Sequence, residues 1–352
     1  MVKRKKKKSV NKYIIFALII LLAGGGVGGY LAYEWIYAPN VVVESEKPVY
    51  LYIHTGWKFS DVIKELKDKN YVKDLSSFEK IAHRKKYTDK VLPGRYRLKK
   101  GMSNNQLINM LRSGEQEPLK LVLTGVRKKE ELVHKVCSKL EMDSNTLIAT
   151  LNDNSFLKKY KLDKENVLTL FIPNTYELNW NISIHQFMER MAKEHDEFWT
   201  AERRKKAQAA ELTPVEVSIL ASIVQSETTK DDDKPIIAGV YINRIHKNMP
   251  LEADPTLVWA LNDFTIKRVL NSHKKIDSPY NTYMYAGLPP GPICLPTINS
   301  LDAVLNYQHH DYIYFCAKED FSGYSNFAKT LKEHQENAKR YTHELNKRKI
   351  YK

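Results

Sequence analysis

The chain has 352 residues, and its 56 Lys and Arg against 41 Asp and Glu give a formal net charge of +15. With 43% hydrophobic residues and 14 each of Gly and Pro, it is neither a disordered nor a collagen-like chain, and its length suits one large or two to three small domains. Seven of the excess positives (Lys3, Arg4, Lys5 to Lys8 and Lys12) fall in the first twelve residues, and no nucleic-acid motif follows, so nucleic acid is not an expected partner.

Residues 13–33 carry no charge, a run of 21 residues. At 1.5 Å per residue this is about 31 Å of helix, the thickness of a bilayer's hydrocarbon core. The basic tail at 1–12 then stays in the cytoplasm, 13–37 crosses the cell (inner) membrane once, and all that follows is extracytoplasmic. A cleaved signal peptide has a shorter apolar run and a small-residue cleavage site, whereas here Tyr33-Glu34-Trp35-Ile36-Tyr37 follows. Gly24/Gly28 and Gly25/Gly29 have helix-dimer spacing, a pattern that is also common in membrane helices. Cys137, Cys294 and Cys316 are too few and odd in number for a disulfide scaffold, although one bridge is open to them; they read as buried thiols, and no Cys/His spacing suggests zinc.

Residues 38–48 read as a linker. A module at 49–116 follows, with a strand at Val49 to Ile53, helices from Phe59 to Leu66 and from Ser76 to Arg84, and a turn and strand over Leu92 to Leu98. Its last helix is capped by Ser103, carries Leu107, Ile108 and Leu111, and stops at Gly114. The remainder, 117–352, opens with a strand at Leu119 to Leu123. Helical patterns come at 128–139, 144–152 and 183–207, an apolar then turn-rich stretch at Leu168 to Tyr176, and a charged helix from Thr330. The fold class expected is α+β: a membrane helix, a small α+β module and a mixed α+β domain.

Thr213-Pro214-Val215-Glu216 is a helix start, with Thr213 as cap, Pro214 at the first helical position and Glu216 completing a capping box. Ile219, Leu220, Ile223 and Val224 form the helix's apolar stripe, and Glu227 falls on the same face. Desolvation there favours the neutral carboxyl, as a general acid requires; the plainer reading turns Glu227 out to solvent or onto Arg244. A second helix begins near Pro235 with Ile236, Ile237, Val240, Tyr241 and Ile245 as its apolar face and Asn243 and Arg244 on its flank. Asp254 caps a short helix through Leu261. Tyr280-Asn281-Thr282-Tyr283 and Gly287-Leu288-Pro289-Pro290-Gly291-Pro292 make a stiff loop of rings and amides, suited to a glycan cleft or, more simply, to a Pro-rich turn.

Leu220 to Val224 with Glu227-Thr228, Ile237 to Val240 with Asn243-Arg244, Met249-Pro250-Leu251 with Asp254-Pro255-Thr256, and the two loop segments form an ordered series within 213–335. This series resembles the MltG/YceG-like endolytic murein transglycosylases. The resemblance implies an enzyme that cuts peptidoglycan glycan strands internally between N-acetylmuramic acid and N-acetylglucosamine and leaves a 1,6-anhydro end, with a LysM-like module at 49–116. It carries the catalytic role to Glu227. Relatives often have a second Glu at the position of Gln225, so Glu227 is the one acid of the motif. Asn243, Arg244, Asp254, Thr256, Asn281 and Tyr283 are the expected substrate contacts, with no metal and no organic cofactor. The partners implied are glycan strands, the membrane through one helix, and penicillin-binding peptidoglycan synthases. With one carboxyl and no convincing second one, the muramic acid's own 6-hydroxyl serves as nucleophile. Two rival readings stay open: a hydrolase with a second carboxylate at Asp254 or Glu252, and a non-catalytic glycan-binding scaffold for cell-wall synthases. A pyridoxal-phosphate or metal enzyme is more distant.

Overall fold

The computed structural model describes residues 12–44, 47–266 and 268–348. The basic tail expected over 1–12 lies outside the described residues except that Lys12 opens the first helix. The chain divides into two compact units, one within Met1–Leu119 with Asn179–Asn181 and the other Lys120–Leu178 with Ile182–Lys352.

The first unit starts with α1 (Lys12–Tyr37), whose Ile14–Tyr37 stretch is long and apolar enough to cross a membrane and leaves its side chains unburied. Only its last turn is packed: Trp35 and Ile36 lie against the unit's core, and the Lys80 ammonium sits 4.2 Å from the Trp35 ring centroid. Two short antiparallel strands, β1 (Val49–Ile53) and β2 (Gly94–Leu98), pair from Val49↔Leu98 to Ile53↔Gly94. Between them run α2 (Phe59–Asp68) and α3 (Leu75–Arg84), and after them α4 (Asn104–Ser113), capped by Ser103 and ended by Gly114 in the left-handed region at φ 70°. Leu51, Ile53, Phe78, Tyr96, Leu107 and Leu111 fill the core. On the opposite, exposed side of β1, Trp180, distant in sequence, packs edge-on against Tyr52 and His54, each 4.9 Å away.

The linker expected at 38–48 needs correction over its first part. Asn40 is buried; its Nδ2 donates to the Asp74 carbonyl at 2.9 Å and to Asn104 Oδ1 at 2.7 Å, and its Oδ1 accepts the Asp74 N–H. Val41 is buried and bridges Val72, while Pro39 bridges Ser103. A polar residue such as Asn40 reads as loop in sequence, but here it ties the capping residue of α3 to the first residue of α4.

The second unit begins with β3 (Leu119–Val122), α5 (Lys129–Cys137), α6 (Ser144–Asn152) and α7 (Asn154–Leu157), and β4 (Thr175–Leu178) pairs with β3. The helix expected at 183–207 is two: α8 (Ile184–Phe198) and α9 (Ala201–Ala209). The break falls where Trp199 turns inward and Thr200 caps the next helix by accepting the Arg203 N–H.

α10 (Pro214–Glu227) is the unit's centre. Its capping box forms as expected, the Thr213 N–H donating to Glu216 and the Glu216 N–H to Thr213. Every residue from Val217 to Val224 is buried, so the helix is enclosed all round rather than along one stripe. α11 (Lys234–His246), α12 (Asp254–Ala260) and α13 (Ile298–Leu305) pack around it. The hairpin of β5 (Tyr314–Ala317) and β6 (Ser325–Ala328) follows, then α14 (Leu331–Lys347).

Candidate active site

Glu227 is the last residue of α10, and Thr228 after it is extended. The carboxyl remains on the face that the apolar stripe defines. It is half-buried and stands in the wall of a cavity of about 710 Å³, shared with Gln225, Ser226, Arg127, Asp254, Trp259 and Phe264. From α11, buried Tyr241 donates its hydroxyl to Glu227 Oε1 at 2.6 Å, with its ring held edge-on by Phe315. Burial raises the Glu227 pKa from its ordinary 4.5 to about 7; the nearby Asp254 charge adds to the rise, and the Tyr241 hydrogen bond works against it. Such a carboxyl holds a proton near neutral pH and can give it up, the property of a general acid and base.

Asp254 is not the helix cap expected. The capping position of α12 is Ala253, without a side-chain bond, and Asp254 Oδ1 accepts the Tyr283 hydroxyl at 2.6 Å. Its carboxylate lines the cavity with Glu227. The Tyr283 phenol is driven well above its ordinary range, first by burial and then by that bond, so it stays a donor. The Lys274 ammonium lies 4.3 Å from the centre of its ring.

The other expected substrate contacts have their polar atoms committed to the protein. Arg244 is buried, donating to the carbonyls of Ile313, Pro250 and Leu251 and pairing with Glu252 at 2.9 Å. That pair also turns Glu252 onto α11. Asn243 Nδ2 donates to the carbonyls of His310 and Tyr312. Asn281, fully buried, donates to the Lys274 and Ile276 carbonyls and accepts the Tyr283 N–H. Thr256, also fully buried, bonds the Ala253 carbonyl and the Thr282 hydroxyl. The Thr282 carbonyl and hydroxyl in turn accept the N–H groups of Glu252 and Ala253. Arg244, Asn281 and Thr256 are the frame that fixes the segments bearing Asp254 and Tyr283, and Asn243 ties down residues 310–312.

Gln225, the neutral residue two before Glu227, accepts the Thr297 N–H and the Ser300 hydroxyl, bracing the segment after the Pro-rich loop. Ser222 accepts the Ile293 N–H at 3.0 Å. Tyr241 is the functional residue the sequence hid: it reads as one more apolar position of its helix. A buried tyrosine needs a partner for its hydroxyl, and a carboxyl on the neighbouring helix was the available signal. Cys137, Cys294 and Cys316 are free thiols, of which Cys294 alone is fully buried. Among the described residues no group of three or more His, Cys, Asp or Glu is placed to hold a metal ion.

The family model described as the YceG-like family matches residues 51–340. An endolytic murein transglycosylase of Bacillus subtilis (strain 168) is 28% identical over 341 residues, which span 92% of each chain. One of Streptococcus pneumoniae serotype 2 is 25% identical over 362 residues, covering 93% of this chain and 64% of that protein. Among solved structures, a YceG-like protein from Listeria monocytogenes superposes with a TM-score of 0.54 at 28% identity, over 83% of this chain and 99% of that one.

Proposed function

The chain belongs to the YceG-like family, and on that premise we propose that it is a membrane-anchored lytic transglycosylase cutting peptidoglycan glycan strands internally, with Glu227 as its acid and base. The names of its relatives support the reaction. The observation that carries the residue assignment is a single one: a carboxyl at the end of the enclosed α10, bonded to buried Tyr241, in the wall of a cavity large enough for a sugar. Protonated Glu227 gives its proton to the glycosidic oxygen between N-acetylmuramic acid and N-acetylglucosamine. The bond from that oxygen to the anomeric carbon breaks. The muramic acid's 6-hydroxyl oxygen bonds to the same carbon and returns its proton to Glu227, leaving a 1,6-anhydro end and the enzyme unchanged. The nucleophile is tethered to the electrophile, so no water has to be positioned.

The basic run before α1 supports a cytoplasmic N-terminus, with the chain beyond α1 on the outer side of the membrane. The β-α-α-β order of the first unit supports its assignment as a LysM-like module. Anchoring in the membrane where glycan strands are made supports a reading in which penicillin-binding synthases are partners and termination of nascent strands is the role.

Besides Glu227 the cavity holds Asp254 and Glu131, and a further carboxylate is what a water-using glycosidase needs. Product analysis separates the two reactions. Full-length enzyme and its Glu227→Gln variant are incubated with purified glycan strands and the ends read by mass spectrometry. Anhydro ends from the wild type and none from the variant are expected. Ends heavier by one water would establish hydrolysis, and an active variant would remove Glu227 from the chemistry.

A further inference from the structure

Three carboxyls line one cavity: Glu131, which accepts the Arg127 N–H, and Glu227 and Asp254, each bonded to its own tyrosine. Glu227 ends a helix enclosed on every side, whereas Asp254 is exposed to solvent at the start of α12. The remaining acid of that segment, Glu252, is held by Arg244. Tyr283 keeps its hydroxyl hydrogen aimed at Asp254, and the Asn281, Thr282, Thr256 and Arg244 bonds make the arrangement rigid before any substrate arrives.

We propose that Asp254, oriented by Tyr283, is a second catalytic group: an anion that stabilises the positive charge developing at the anomeric carbon without bonding to it. The inference rests on the glycan-cleaving reading above and adds a role that the reading does not require. Cleavage of a glycosidic bond passes through an oxocarbenium-like transition state. A fixed negative charge stabilises that state more than the neutral substrate, and because it is preorganised it needs no rearrangement as the reaction proceeds. Glu227 cannot supply the charge at that moment, since it starts the step as a neutral acid. Atoms and electrons balance as before: Asp254 takes no proton and forms no bond, and the leaving oxygen and the 6-hydroxyl exchange protons with Glu227 alone. Without Asp254 the same products therefore form, more slowly. Tyr283 is a positioning residue, acting through Asp254.

The test uses the detergent-solubilised full chain and purified glycan strands, with Asp254→Asn, Asp254→Glu, Tyr283→Phe and, as control for the underlying reading, Glu227→Gln. Asp254→Asn should lower kcat by roughly 10²–10³-fold with KM changed by less than about threefold, and still give anhydro ends. The alkaline limb of its pH–rate profile should move to lower pH, because Glu227, otherwise faced by Tyr241 and Tyr283, loses its neighbouring negative charge. Asp254→Glu should recover part of the rate, and Tyr283→Phe should slow kcat with products unchanged. An unchanged kcat in Asp254→Asn overturns the proposal, as does a loss confined to KM. So does a rate loss shared equally by Asp254→Glu with a lowered melting temperature, which would make Asp254 structural. An active Glu227→Gln enzyme would sink the parent reading instead, and the two failures are told apart by which variant keeps its rate.

Discussion

Glu227→Gln probes the energetics of the site with no substrate present. In the fold this carboxyl titrates at about 7 rather than 4.5, because burial at the end of α10 penalises its anion and Asp254 adds a like charge. The folded state therefore holds the proton more tightly than the unfolded chain does. Below pH 4.5 the group is protonated in both states and costs nothing. As pH rises from 4.5 towards 7 the unfolded chain ionises first and stability falls; above 7 the loss is complete. At ~1.4 kcal/mol for each tenfold change in protonation equilibrium, the full loss is about 3 kcal/mol. Glutamine cannot ionise, and its Oε1 still accepts the Tyr241 hydroxyl. The variant should melt at the wild-type temperature near pH 4.5 and roughly 6–12 °C higher at pH 8. Differential scanning calorimetry of the detergent-solubilised chain, reading the transition of the second unit at both pH values, checks this. A variant no more stable than wild type at pH 8 would refute the reasoning, and so would a gain of the same size at both pH values.

Three further outcomes are expected. Wild-type kcat/KM should fall as pH rises above about 7, where Glu227 ceases to be an acid. In Tyr241→Phe the carboxylate loses a hydrogen bond worth ~1.5 kcal/mol, so the same limb should move up by about one pH unit; a pH–rate profile reads both, and a downward shift would contradict the account. Arg244→Met leaves the Ile313, Pro250 and Leu251 carbonyls without their buried donor and should cost about 3 kcal/mol, seen in thermal melts as a drop on the order of 10 °C; Arg244→Lys, unable to span the same carbonyls, should not restore it. A Cβ on Gly239 would sit 2.4 Å from the Gln308 carbonyl oxygen and 2.7 Å from His310 Nε2. Gly239→Ala should therefore destabilise the chain by ~1–3 kcal/mol, and an unaltered denaturation midpoint would dismiss that contact.

What the sequence made legible was local. Thr213, Pro214 and Glu216 announced the start of α10 because capping is decided within four residues. The apolar spacing then carried Glu227 to the inward face. The full enclosure of α10 was not legible, since Ser218 and Ser222 look polar in sequence; in the fold they bond the Pro214 and Ile219 carbonyls. Asp254 stood where a cap belongs, and only the return of the chain at Tyr283, 29 residues later, redirects it. Arg244 and Asn281 have the chemistry of sugar ligands and serve as fasteners of backbone, a choice made by partners too distant in sequence to be read. The β5–β6 hairpin escaped notice because its four-residue strands are only partly buried and show no clean alternation. Trp180 likewise packs on Tyr52, 128 residues before it, a pairing that no local pattern announces.

The junction at the foot of the first unit has a mechanical meaning. Asn104 donates to the Trp35 carbonyl inside the final turn of α1, and Asn40, three residues past its end, is knotted to Asp74 and Asn104. A tether of loose chain would let its load tumble; this is a splice, and torque passes through it. Advancing this helix by one residue turns it by about 100°, and the packed part of the first unit must swing through the same azimuth. A neighbouring helix that grips one side of α1, for instance along Gly24 and Gly28, would thereby choose the compass bearing of the first unit's core.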